Sequence, residues 1–191
     1  MIEIQRTKTL KIPFLIFHPG AHMGDGEDRC LKRIAKNLDW IIEQEQPENL
    51  KILLETTAGQ GTNVGYRFEH LRDIMAYVKY PGKIGICYDT AHTFAAGYDI
   101  RDKDTYKKTF KLFNSVIGIE NLFVFHLNDS KKKLGTRVDR HEHIGKGLIG
   151  MEGFRLLLND KRFKIFPMIL ETPGGEEHYP ENLKILKNLL K

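Results

Sequence analysis

IGICYDTAH, residues 84–92, is an apolar run that ends in an aspartate and, three positions later, a histidine. The run reads as a strand, and Asp89 stands at its C-terminal end. The same ending recurs along the chain. Ile12–Phe17 leads to His18, Lys51–Leu54 to Glu55, Leu122–Phe125 to His126, and Phe166–Leu170 to Glu171. The five polar residues are separated by 37, 34, 37 and 45 positions, each step long enough for a strand, a helix and two loops. In a parallel barrel the C-terminal strand ends open into one mouth, where such folds keep their chemistry. Five carboxylates and imidazoles converging there read as a multinuclear metal site.

The gaps between runs carry helical periodicity. Leu31, Ile34, Leu38, Ile41 and Ile42 form one stripe, and Phe68, Leu71, Ile74, Met75 and Val78 a second, stopped by Pro81-Gly82. Tyr106, Phe110, Phe113 and Ile117 form a third, Phe154, Leu157 and Leu158 a short fourth, and Leu183, Leu186, Leu189 and Leu190 a fifth. The order βαβαβαβαβα predicts an α/β fold with a parallel sheet covered by helices, in one domain spanning 1–191. A closed eight-unit barrel typically needs about 250 residues and rarely fewer than about 200. The 191 residues here therefore fit an open doubly wound sheet or the C-terminal part of a barrel, and composition does not choose between them.

The net charge is +5 and the hydrophobic fraction 41%. No apolar run approaches the ~20 residues of a membrane span, and no secretory segment follows Met1. Two cysteines, Cys30 and Cys87, give no disulfide framework, which points to a reducing, cytoplasmic setting. The basic residues are concentrated in SKKKLGTRVDRHEHIGKG, residues 130–147. A charge run alone reads as a solvated loop. Here Lys131, Arg137, Arg140 and Lys146 are interleaved with Asp139, His141 and His143, which makes them candidates for holding a phosphate backbone.

Asp89 and His92 lie across a strand-to-helix turn, so both can face the mouth while reaching different ions. Asp139 and His141 alternate and can chelate from one side of an extended segment. Glu55 ends an apolar run, where a buried carboxylate demands a nearby cation. Mixed imidazole and carboxylate donors suit Zn²⁺, with Mn²⁺ and Fe²⁺ as second choices. The eight candidate ligands, His18, Glu55, Asp89, His92, His126, Asp139, His141 and Glu171, are too many for one tetrahedral ion. Clustered divalent ions are suited to phosphodiester hydrolysis.

FHPGAH (17–22), ETTAGQGTNVGYRFEHL (55–71), YDTAHTFAAGYD (88–99), HLNDSKKKLGTRVDRHEHIGKGLIG (126–150) and ILETPGG (169–175) resemble, in order and spacing, the endonuclease IV family of apurinic/apyrimidinic endonucleases. The resemblance implies five C-terminal βα units of an eight-unit TIM barrel. It implies a zinc-dependent hydrolase of base excision repair that cuts duplex DNA 5′ to an abasic site. It further implies that Glu55 bridges two zincs, one shared with His18 and the other with Asp89, His126 and Glu171. His92, Asp139 and His141 would hold the third, and Glu55 and Glu171 are carried over as catalytic. His22, His70, His143 and His178 match no ligand position and read as loop, surface or phosphate-proximal groups.

The family pattern starts well upstream of the position matched by Met1. One zinc is then expected to lack a histidine ligand, and two strand edges to stand open. On this reading the protein is a nucleoid-associated monomer, or is completed by an N-terminal fragment, and the chain alone has little or no nuclease activity. An inactive relic with residual metal or DNA binding, and a sugar isomerase or epimerase of the same barrel group, are the alternatives.

Overall fold

The computed structural model describes residues 1–191. Five parallel strands carry the fold: β1 (Phe14–Phe17), β2 (Lys51–Glu55), β3 (Ile84–Asp89), β4 (Leu122–His126) and, after a short hairpin of β5 (Asp129–Ser130) and β6 (His141–Glu142), β7 (Met168–Ile169). Their order in the sheet is β1-β2-β3-β4-β7. Consecutive strands are neighbours throughout, as in a barrel wall, whereas a doubly wound sheet reverses its strand order at a switch point. The five-unit barrel segment is the architecture found, with β1 and β7 as its two edges.

The helices α1 (Ile2–Thr9), α2 (Glu27–Glu45), α3 (Phe68–Tyr77), α4 (Thr90–Ala96), α5 (Lys103–Val116), α6 (Gly150–Leu158) and α7 (Tyr179–Asn188) complete the chain. In α2 the stripe of Cys30, Leu31, Ile34, Leu38 and Ile42 is buried, with Glu27 and Asp28 in the first turn, where carboxylates complement the helix dipole. Asp102 caps α5 by accepting from the Asp104 and Thr105 amides, in a capping box with Thr105. Tyr88, Phe110, Phe113, Phe125 and Phe163 fill the layer between sheet and helices. Each such ring stabilises the fold by about 2–3 kcal/mol through burial.

A second, smaller apolar layer lies on the inner face. Leu53, Cys87 and Val124 are buried there, with Phe14, Ile16 and Phe123 packed against them. They form the floor beneath the mouth. One irregularity sets the level of that mouth. Ile86 pairs with Leu122 but Cys87 pairs with Val124, so Phe123 is an extra residue in β4. Its ring lies over Gly85, where a Cβ would come within 2.5 Å of it. The bulge reverses the inward and outward alternation of β4 and brings His126 to the inner face beside Asp89.

Two expectations need correction, and one helix was not expected. The first strand begins at Phe14, not Ile12, because Pro13 has no N–H for the ladder; its carbonyl still accepts from Lys51. The last strand is reduced to Met168–Ile169, flanked by Pro167 on an outer edge of the sheet. Residues 2–9, too sparse in apolar groups to show a stripe, form α1, which buries Ile4 and is tied to α2 by Gln5 on Glu45 (3.2 Å) and Lys8 on the Glu45 carbonyl (2.7 Å).

Candidate metal centre

All eight candidate ligands meet at the C-terminal ends of the strands. Ligand atoms of Glu55, Asp89, His126 and Glu171 lie within 4.8 Å of one another, as do those of Asp89, His92 and His141, and those of His18, Glu55 and His92. Asp139 joins the second group: its carboxylate is 3.1 Å from His92 Nε2 and 3.3 Å from His141 Nε2. His92 thus reaches two groups, where the resemblance gave it one.

Register explains the layout. Phe17 pairs with Leu54, so His18 and Glu55 stand at one level, and Glu55 pairs with Cys87. Asp89 and His126 pair with each other two residues further along their strands. Glu171 follows the β7 residue Ile169, which pairs with His126, by another two. The ligands climb as the strands tilt, so they line a band instead of closing on a point. Such a band suits several ions.

Glu55 is the hub. Its Oε1 lies 3.0 Å from His126 Nδ1 and 3.2 Å from His92 Nδ1, and its Oε2 lies 3.5 Å from His18. Burial pushes its carboxyl up, but the His126, His18 and His92 imidazoles override burial and hold it well below the usual range. His126 also faces Glu171 at 3.0 Å. Burial alone would lower His126, yet the Glu171 and Glu55 carboxylates, each 3.0 Å away, raise it far above an ordinary imidazole. Glu171 and Asp139 are held low, chiefly by His126 and His92 respectively. Without an ion, these histidines act as the cations that buried carboxylates require. Cys87 sits beneath, and burial pushes its thiol up to about 12, so it stays protonated and is no thiolate ligand.

Neighbouring groups orient the ligands. His92 Nδ1 is 2.9 Å from the Thr56 carbonyl and His141 Nδ1 is 3.1 Å from the Glu171 carbonyl, so both rings present Nε2 to Asp139. Asn128, fully buried, donates to Asp89 Oδ2 at 2.6 Å and accepts from the Glu171 amide at 2.9 Å. The Gln60 side chain accepts from the Asp139 amide at 3.0 Å. These helpers were missed in the sequence. Asn128 left a signal there, as a polar residue two places beyond a strand-end ligand; Thr56 and Gln60 left none.

The basic loop rims the centre. Lys131 is 3.8 Å from Glu142 and Lys146 is 3.5 Å from Glu181, so both are partly compensated. Arg137 lies over the Tyr66 ring at 3.9 Å, and Arg140 bonds the Asp139 carbonyl. Among the remaining histidines, His70 is not a surface group. It is buried, accepts from the Gly65 amide and contacts Glu27 at 3.2 Å, which fixes α3 to α2. His143 and His178 pack against each other, with Asn182 bonded to His143.

The model of the xylose isomerase-like TIM barrel family of AP endonucleases matches residues 2–189. The chain is 49% identical over 191 residues to a probable endonuclease 4 of Citrifermentans bemidjiense, covering 99% of this chain and 68% of the relative. It is 52% identical to the probable endonuclease 4 of Chloroflexus aggregans, covering 67% of that protein. This chain belongs to the endonuclease IV family. The solved endonuclease IV of Thermus thermophilus superposes with a TM-score of 0.82 at 33% identity, over 97% of this chain and 64% of that one. A D-tagatose 3-epimerase-like protein superposes at 0.75 with 21% identity, a likeness of fold alone. Against its endonuclease IV relatives the chain spans about two thirds of their length. No helix is long and apolar enough to cross a membrane.

Proposed function

We propose that the centre is that of an apurinic/apyrimidinic endonuclease, hydrolysing the backbone of duplex DNA 5′ to an abasic site. The carrying observation is the band of merged ligand groups around Glu55, with a basic loop along its rim. The donors fit Zn²⁺, with Mn²⁺ as the alternative. Glu55, Asp89, His126 and Glu171 would hold one ion, His92, Asp139 and His141 a second, and His18 with Glu55 a third. When bound, such ions supply Lewis acidity toward the phosphodiester and a water of lowered pKa.

The chain's own residues prepare that chemistry. Glu55 turns one oxygen to His18 and the other to His126 and His92, so a single carboxylate serves neighbouring positions. Thr56 and Glu171 carbonyls fix the histidine tautomers. Arg137 and Arg140 neutralise backbone phosphates on the rim. No side chain in the mouth is placed as a covalent nucleophile; Cys87, the one thiol there, is buried and protonated. The sugar isomerase alternative rests on shared fold only.

The test is incision of a duplex carrying one abasic analogue by the zinc-loaded chain. The expected product is a single cut 5′ to the analogue, abolished by chelation and by Glu55→Gln. Turnover should fall well below that of the Chloroflexus aggregans relative, because the sheet ends at β1 and leaves the His18 side of the mouth open. A folded, zinc- or manganese-loaded chain that neither cuts nor binds the abasic duplex would sink the proposal.

A further inference from the structure

Asp129 lies outside the ligand set, yet it is fully buried and has no cationic partner. Its carboxylate is satisfied by the backbone alone. Oδ1 accepts from the amides of Ser130 (2.8 Å) and Ile149 (2.9 Å), and Oδ2 from those of Gly145 (2.9 Å) and Gly147 (3.1 Å). These donors come from both ends of one loop, 130–149. Next to them the Leu148 amide donates to the Ser130 carbonyl at 2.8 Å, and the Lys131 amide to the Arg140 carbonyl at 2.9 Å. Gly147 approaches so closely that a Cβ there would collide with the Asp129 carboxylate. Between the clamped ends lie Asp139, His141 and all four basic candidates.

We propose that Asp129 is a positioning residue, an internal anion whose four amide bonds close segment 130–149 and so fix Asp139 and His141 against His92. The idea rests on the reading that those three residues hold an ion. The charge matters because a carboxylate offers lone pairs on both oxygens. An amide offers one acceptor oxygen, and its NH₂ would face two backbone N–H groups. In Asp129→Asn, two buried donors therefore lose their acceptor, and the loop loses its closure.

Two measurements on the full chain test this. Hydrogen exchange of the metal-free protein reads the clamp, and competitive Zn²⁺ titration reads the site. Asp129→Asn and, independently, Gly147→Ala should each speed exchange of 130–149 by about tenfold or more. Both should weaken one Zn²⁺ position by roughly 10- to 100-fold and leave the others unchanged. Asp39→Asn serves as the destabilised control: this buried carboxylate accepts from the Lys79 amide at 2.8 Å, remote from the loop. It should lower stability and move neither readout. Exchange in 130–149 that rises no more than in the control overturns the proposal. So does faster exchange with every Zn²⁺ position intact, which would make Asp129 merely structural. If the unsubstituted chain binds no Zn²⁺, the metal reading fails, and exchange alone then judges the clamp.

Discussion

Replacing Asn128 by aspartate swaps one donor atom for an acceptor and leaves the shape of the side chain almost unchanged. Asn128 Nδ2 now donates to Asp89 Oδ2 at 2.6 Å, and Oδ1 accepts from the Glu171 amide. Both side chains are fully buried. The substitution removes a hydrogen bond to a charged group, about 1.5–3 kcal/mol, and sets two carboxylates in contact. Two carboxylates sharing a buried site cannot both ionise, so the pair takes up a proton and its apparent pKa is raised. The full penalty at pH 7 is roughly 3–5 kcal/mol, comparable to breaking a buried charge pair. Its sign with pH follows from linkage. A carboxyl whose folded value is raised binds its proton more tightly in the native state, so the penalty shrinks as pH falls toward that value. Urea denaturation of the metal-free wild type and Asn128→Asp, from pH 5 to pH 8, measures it. A difference below about 1 kcal/mol, or one that does not change with pH, would refute the argument that the Asn128 amide donates to a buried Asp89 carboxylate.

Three further outcomes are expected. In the metal-free chain, raised His18 and His92 stabilise below the ordinary imidazole value of 6.5 and lose that contribution as pH rises. Depressed Glu55 and Glu171 stabilise above 4.5 and lose theirs as pH falls, so thermal midpoints should peak between the two values. Saturating Zn²⁺ should reverse the alkaline decline, because metal binding favours neutral imidazoles; a midpoint that still falls above pH 7 with Zn²⁺ present would argue against ligation. Phe110→Ala, at the centre of the aromatic layer, should lose about 3–5 kcal/mol in urea titrations. Arg140→Ala, exposed and without a carboxylate partner, should weaken duplex binding alike for all sequences. It should also reduce the slope of log K against log salt by about one.

The βα order and the candidate ligands, which the fold brings together, were legible because each rests on local chemistry. A strand-end Asp, Glu or His shows itself against an apolar run, as in Ile84–Asp89, and a helical stripe shows itself by spacing. What stayed hidden depends on partners far along the chain. The β4 bulge cannot be read from Leu122–His126, whose alternation gives Leu122 and His126 one face. In the fold Leu122 joins the helix-side core while His126 faces the mouth. Buried His70 looks from sequence like any surface histidine, because its partner Glu27 lies 43 residues away. Arg137 reads as a free cation until Tyr66 is found beneath it.

Those hidden features decide what the legible ones can do. Eight ligand-type side chains, five of them at strand ends, make a metal centre only if their levels agree, and the levels of those five are a property of register. Without the extra Phe123, His126 would point into the helix layer, and Glu55, Asp89 and Glu171 would face one another without the imidazole that now lies 3.0 Å from two of them. The three carboxylates would keep His92, His18 and His141 as imidazole neighbours, but the Glu55, Asp89, His126 and Glu171 group would lose one of its four donors. Gly85 permits the bulge by leaving room for the Phe123 ring. A residue with no chemistry of its own, on the floor of the mouth, is therefore a condition for the centre above it. Gly85→Val should disrupt the His126 side of the centre before it touches any ligand.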